Sequence, residues 1–224
     1  TPHLNPNLPF DAQRDFLPIA VGATSNMFLI VPPTSPARSV MDIIALARSQ
    51  PGKLNYGTAG IGTPPHMAAE LFRIMTGIDI VHVPYKGVPQ AEAATMSGDV
   101  AFMFNAPSTL NLAKAGRIRV LAVSGGQRSK LAPDLPTLAE AGVPDFNVTA
   151  WYGMFAPAKT PSEIAARLNG EIRDALRQSD LSSRLLSIGY ELPAAYTAEE
   201  FHAFVRAESA KWKKVVTDAH IKAE

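Results

Sequence analysis

The period of apolar and polar positions changes repeatedly along the chain. Residues 16–31 form a long apolar run, interrupted by Gly22 and by the polar Thr24-Ser25-Asn26, and Pro32, Pro33 and Pro36 end it. Ser39-Val40-Met41-Asp42 then predicts a helix start, with Ser39 as N-cap and an acid in the first turn. Met41, Ile44, Leu46 and Ala47 give that helix an inner face until Pro51-Gly52 stops it. Residues 53–58 predict a strand entering a glycine-rich turn, and residues 64–76 a helix ended by Gly77. A strand over 80–85, a helix over 89–97 ended by Gly98, a strand over 100–104, a helix to Gly116 and a strand over 119–124 follow. Such units recur about every 15 to 25 residues, as consecutive βα elements do, which predicts an α/β fold with largely parallel pairing.

After Gly125-Gly126 the texture changes. Residues 131–144 carry three prolines and the pattern of a short helix over 137–141, and residues 146–157 form a second apolar, aromatic run. Thr160-Pro161-Ser162-Glu163 reads as a capping box with Pro at the first helical position. Ile164, Leu168, Ile172 and Leu176 recur at i+4 and make one apolar stripe. Thr197-Ala198-Glu199-Glu200 opens a last helix with Phe201, Phe204, Val205, Trp212, Val215 and Val216 inward. Two long apolar runs around a compact α/β middle predict one lobe inserted into another. Residues 1–23 and 124–224 then form the first lobe and 24–123 the inserted second, with paired crossing strands as a hinge. The same pattern fits a single doubly wound sheet, and no repeat or low-complexity tract decides between the two.

Composition removes several classes of function. The 224 residues are 46% apolar and 18% charged, with a net charge of +1 and scattered Lys and Arg, so no basic stripe offers itself to a nucleic acid. The absence of cysteine excludes disulfides, thiol catalysis and cysteine-ligated zinc. No apolar run reaches the roughly 20 residues that span a bilayer. The opening Thr1-Pro2-His3-Leu4-Asn5-Pro6 has neither an initiator Met nor a signal-peptide pattern, and is read as starting partway along a longer protein.

The chemistry concentrates in residues 54–66. A strand delivers Gly57-Thr58-Ala59-Gly60-Ile61-Gly62-Thr63 to a helix with Thr63 as N-cap and Pro64 as first residue. Glycines let backbone N–H groups turn toward a guest, and a helix start adds donors and partial positive charge, so the site suits an oxyanion. Thr58 and Thr63 add hydroxyls; Pro64 and Pro65 carry no N–H, which leaves the amides of Gly60, Ile61, Gly62, Thr63 and His66. A tight βα turn that binds nothing has the same pattern. The glycine order is neither that of a dinucleotide fingerprint nor of a P-loop, so nucleotide binding is disfavoured. Asn105 ends one strand and Tyr85 another, at the edge where parallel sheets receive ligands; a cap and a half-buried aromatic are the plain alternatives. No two of the five histidines are spaced i+4, and no cluster suggests a metal or any other cofactor. A cytosolic α/β enzyme acting on an acidic metabolite, with His66 as general acid or base, stands as the rival.

Asn55-Tyr56-Gly57-Thr58-Ala59-Gly60-Ile61-Gly62-Thr63, followed by His82-Val83-Pro84-Tyr85-Lys86-Gly87, resembles the substrate-binding proteins of tripartite tricarboxylate transporters, the Bug-type receptors. Gly98-Asp99-Val100, Phe104-Asn105 and residues 115–123 extend the likeness, as do Pro136-Thr137-Leu138-Ala139-Glu140-Ala141-Gly142 and Trp151-Tyr152-Gly153. Ala156-Pro157-Ala158, Thr160-Pro161 and Trp212-Lys213-Lys214-Val215-Val216 carry it to the end of the chain. The resemblance implies a two-lobed periplasmic-binding-protein (Venus-flytrap) fold without catalytic activity. It closes on a dicarboxylate, tricarboxylate, acidic amino acid or aromatic acid in the periplasm, and is a monomer when full length. Its partners would be the membrane subunits of a tripartite transporter; a signalling co-receptor would use the same pocket. By this likeness Thr58, Ala59, Gly60 and Thr63 are the main contacts, Gly62, Tyr85 and Asn105 lie beside them, and Thr1 and His3 fall where a loop of the other lobe ends. The strand and glycine-rich loop with which the family usually opens are not in this chain. Ile61 stands where the family often has a polar residue, and Asn105 where an aspartate is common, which should ease binding of a further carboxylate. Thr58→Ala or Thr63→Ala is expected to weaken binding several-fold with little change in thermal unfolding.

Overall fold

The computed structural model describes residues 3–5, 8–193 and 196–222, so Thr1 lies outside the described residues. In chain order the first elements are β1 (Phe16–Asn26), β2 (Phe28–Val31), α1 (Val40–Ser49), β3 (Asn55–Thr58), α2 (Pro64–Thr76), β4 (Val81–Pro84) and α3 (Val88–Ser97). They are followed by β5 (Phe102–Asn105), α4 (Thr109–Lys114), β6 (Arg119–Val123), β7 (Thr149–Pro157), α5 (Ser162–Leu176), α6 (Ser179–Ser187) and α7 (Ala198–Asp218). Among the described residues no helix is long and apolar enough to cross a membrane. The elements gather into two compact units, Asn26–Thr149 and the pair Thr1–Ser25 with Ala150–Lys222.

The middle unit is built on a five-stranded sheet in the order β4-β3-β5-β2-β6. β3 pairs in parallel with both β4 and β5, whereas β2 is antiparallel to both β5 and β6. Four strands therefore run one way and β2 alone runs against them, which brings the ends of β3, β4 and β5 to one edge. Alternation along β5 explains why all four of its residues are buried. Phe102 and Phe104 meet Phe72 of α2 edge-on at 6.2 and 6.1 Å, while Met103 joins Phe28, Ile30 and Ala91 on the other face. A strand covered on both sides needs apolar residues throughout.

Residues 124–149, which the sequence reading joins to the outer lobe, pack within this unit. Leu138 N donates to Val123 O at 3.0 Å, Val148 N to Ser124 O at 2.8 Å, and Phe146, fully buried, stacks on Phe104 at 6.0 Å. The helix expected over 137–141 is only a turn, capped by Thr137 and Glu140 on each other's amides. Ser39 does cap α1, in a full capping box with Asp42. Its inner face differs from expectation, because Val40 and Ile43 are buried with Ile44 and Ala47 while Met41 is exposed.

In the other unit β1 and β7 form a two-stranded sheet, so the two long apolar runs do pair. Asn169 of α5 donates to Ile19 O at 2.7 Å, and Ala165 packs on Ile19 and Ala20. The side facing β1 is thus the Ala165–Asn169 side of α5, and Ile164 and Leu168 of the expected stripe are exposed. The box at Thr160–Glu163 does not form: Pro161 is the N-cap and offers no side-chain acceptor. Trp151 meets Phe201 and Phe204 of α7 edge-on at 5.9 and 5.5 Å, which anchors that helix to β7. α7 begins with a capping box between Thr197 and Glu200.

Candidate functional site

Thr58, Tyr85 and Asn105 come together because β3, β4 and β5 are parallel and end on the same edge. The turn after β3, residues 59–63, is half-exposed and leads into α2. Gly60 and Gly62 hold φ of +125° and +73°, in the region L side chains avoid, so the glycines allow the chain to turn twice within four residues.

Those turns sort the amides. Gly60 N donates to Thr58 Oγ1 at 3.2 Å and Gly62 N to His66 Nδ1 at 3.1 Å. Thr63 Oγ1 donates to Gly60 O at 2.7 Å. The expectation that Gly60 and Gly62 present free amides is therefore corrected: a turn closed this tightly ties them to the side chains of Thr58 and His66. The amides of Ala59, Ile61 and Thr63 have no hydrogen-bond partner among the described residues. Alternate N–H groups are held inward and the remainder are left over.

Below the turn lies a network the sequence reading did not assemble. In-register pairing of β3 and β4 sets Tyr56 opposite His82, and the rings stack at 5.0 Å. His66, in the first turn of α2, stacks on His82 at 4.2 Å. His82 Nε2 lies 2.6 Å from Thr58 Oγ1. Tyr56 donates its hydroxyl to Glu70 Oε1 at 2.5 Å, and Arg73 Nε donates to Glu70 Oε2 at 2.8 Å. Tyr56, His66 and Glu70 are all buried. Two signals were present: Tyr56 and His82 each stand two residues before the end of neighbouring strands, and His66, Glu70 and Arg73 follow at i, i+4 and i+7 on one helix face.

Burial holds the network neutral apart from the Glu70–Arg73 pair. It lowers the pKa of His66, with Glu70 acting the other way. Burial, and then the adjacent His66, pushes His82 down to about 4, against the pull of Glu70. Burial and the Glu70 bond push the Tyr56 phenol up. Because Gly62 N–H donates to Nδ1 of a neutral ring, the proton of His66 sits on Nε2.

The other candidates fare unevenly. Thr58 has no exposed surface and its hydroxyl is shared between His82 and Gly60, so it builds the turn from below. Asn105, also fully buried, donates to Glu92 Oε1 at 2.6 Å and accepts from Ala106 N at 2.8 Å. Glu92 thereby keeps a carboxylate beside the position where Asn105 had suggested one was lost. Tyr85 is half-buried, bonds through its amide to Thr58 O at 2.9 Å and packs against the cluster around Phe28. His3 belongs to the other unit, where Nε2 pairs with Ser209 Oγ at 3.0 Å. His66 is 4% exposed, which deprives the enzyme reading of its accessible general base. Among the described residues no three His, Asp or Glu side chains gather as a metal site.

With this geometry in hand, the relatives are informative. Residues 1–221 match the sequence profile of the tripartite tricarboxylate transporter family receptors, and the chain belongs to that family. A protein encoded in the tcbD-tcbE intergenic region of Pseudomonas sp. strain P51 is 34% identical over 97% of this chain. The match spans 65% of that relative's own length. Among solved structures, the R. palustris protein Rpa4515 with adipate superposes with a TM-score of 0.79 at 36% identity, over 95% of this chain and 71% of that one. MatC of Rhodopseudomonas palustris with bound malate gives 0.76 at 29% identity, over 96% and 74%. The fold is thus that of the two-lobed α/β periplasmic binding proteins.

Proposed function

We propose that this chain is an extracytoplasmic solute-binding protein. It captures a small carboxylate at the turn over residues 58–63 and delivers it to the membrane subunits of a tripartite transporter in the periplasm. The observation that carries the reading is the set of three amides, of Ala59, Ile61 and Thr63, without a hydrogen-bond partner among the described residues, in a half-exposed turn that leads into the 13-residue helix α2. Thr63 is the N-cap of α2, at the positive end of the helix, where a carboxylate oxygen is favoured, and Ala59 and Ile61 precede it in the same turn. Membership of a receptor family, and relatives solved with adipate and malate, support the same ligand class. Micromolar affinity requires about 8 kcal/mol, within reach of several charge-assisted hydrogen bonds.

The test is a thermal-shift screen against adipate, malate, citrate, glutamate and benzoate, followed by calorimetry on whatever shifts. A binder at 100 times its dissociation constant adds about 2.7 kcal/mol of stability, a clear rise in Tm. A flat response to all five acids would sink the receptor reading.

A further inference from the structure

We propose that His66 and His82 are positioning residues for carboxylate binding, each using one neutral imidazole nitrogen to hold the turn over residues 58–63 in the shape that frees alternate amides. The inference rests on the receptor reading above and names the side chains on which that site depends.

Both contacts reach the turn from below. His66 Nδ1 takes the Gly62 amide at 3.1 Å, and His82 Nε2 meets Thr58 Oγ1 at 2.6 Å. Thr58 Oγ1 in turn takes the Gly60 amide at 3.2 Å. The two inward amides of the turn are thus tied, directly or through one hydroxyl, to two stacked imidazoles. The rings are packed on their neighbours. They lie 4.2 Å apart, His82 lies 5.0 Å from Tyr56, and Tyr56 lies 5.7 Å from Phe102, one continuous stack. Glu70 grips the far end of that stack through the Tyr56 hydroxyl and is itself paired with Arg73. Donors fixed before the guest arrives cost less ordering on binding, which is how an uncharged turn gains affinity.

The arrangement requires neutral rings. A protonated His66 would carry a donor on Nδ1, facing the Gly62 N–H, and no acceptor for it. A cation near an anion site ordinarily helps binding; here charging His66 would dismantle the turn that does the binding. Burial, which lowers the pKa of both rings, agrees with this requirement.

The decisive experiment exploits atom positions. Asn places a polar atom where Nδ1 of His66 stood, Gln places one where Nε2 of His82 stood, and Phe keeps a stacking ring while removing the ring nitrogen. Affinity for the tightest-binding acid among adipate, malate, citrate, glutamate and benzoate is measured by calorimetry in His66→Asn, His66→Phe, His82→Gln and His82→Phe, with thermal unfolding alongside. Positioning predicts Asn and Gln within about threefold of the native protein and Phe at least tenfold weaker. A role limited to stacking predicts the reverse order, and that result overturns the inference while leaving the receptor reading intact. A native protein that binds none of the five acids overturns the reading itself. Should the Phe variants fail to fold, the imidazole nitrogens of the native protein decide by NMR. A His66 ring carrying its proton on Nε2 at pH 7, with a coupling between Nδ1 and the Gly62 amide, supports the proposal. A proton on Nδ1 refutes it.

Discussion

Thr58 illustrates how a residue type announces chemistry that its surroundings redirect. As part of a glycine-rich turn it reads as a hydroxyl for the guest, yet its side chain is fully buried and committed to His82 and the Gly60 amide. Thr58→Val keeps the shape and strands both partners, at a cost of about 1 to 3 kcal/mol. Urea unfolding should register that loss, contrary to the expectation of unchanged stability. Thr63 is half-exposed and among the described residues its hydroxyl donates to Gly60 O alone, so Thr63→Ala should lower stability by about 1 kcal/mol or less. Loop membership, and hence the candidate amides, could be read from the sequence. Which amides were already taken could not: Gly60 and Gly62 bond Thr58 Oγ1 and His66 Nδ1, and Thr58 in turn meets His82, a residue 24 positions beyond it that only strand pairing brings alongside.

At the scale of elements, β3, β4 and α2 share a core that disfavours charge. His82 has an ordinary value of 6.5 and is pushed down to about 4 in the fold, so on acidification the unfolded chain takes up its proton first. Stability is therefore complete above about pH 6.5 and is lost as pH falls toward 4. The full displacement is worth about 3 kcal/mol, nearer 2 after discounting the partial exposure of the ring. Urea midpoints between pH 7 and pH 4.5 should fall accordingly in the native protein, and fall less in His82→Gln. Most elements were legible because glycines end them sharply: Gly77 and Gly98 close α2 and α3 in left-handed conformations, as read. β2 was hidden inside a single apolar run. Its separation from β1 at Met27 follows from pairing with β5 and β6, which no local period records. α6 was missed altogether: it buries no residue, so its sequence carries little core-facing signal. The first half of the stripe on α5 misled for a related reason, since a small Ala165 and a hydrogen-bonded Asn169 make the closer contact where Ile164 and Leu168 were expected, while Ile172 does pack against Ile19 and Ala20.

Over the molecule as a whole, positive and negative charges nearly cancel at +1. A field of that size steers an anion only feebly from a distance. The hydrogen bonds of the turn among the described residues join hydroxyls, amides, a carbonyl and imidazoles, with no lysine or arginine among them. Oriented dipoles act over a few ångströms, well inside the roughly 8 Å over which physiological salt screens a field. Raising sodium chloride from 0.05 to about 0.5 M should therefore weaken capture of a dicarboxylate by no more than about threefold, where an arginine-clamped site would lose far more. Isothermal titrations across that series would show it, and a steep decline would reveal a cation in the grip. On the proposed reading, capture would work alike in dilute and in brackish surroundings, and release from this turn would not require pulling apart a pair of opposite ions.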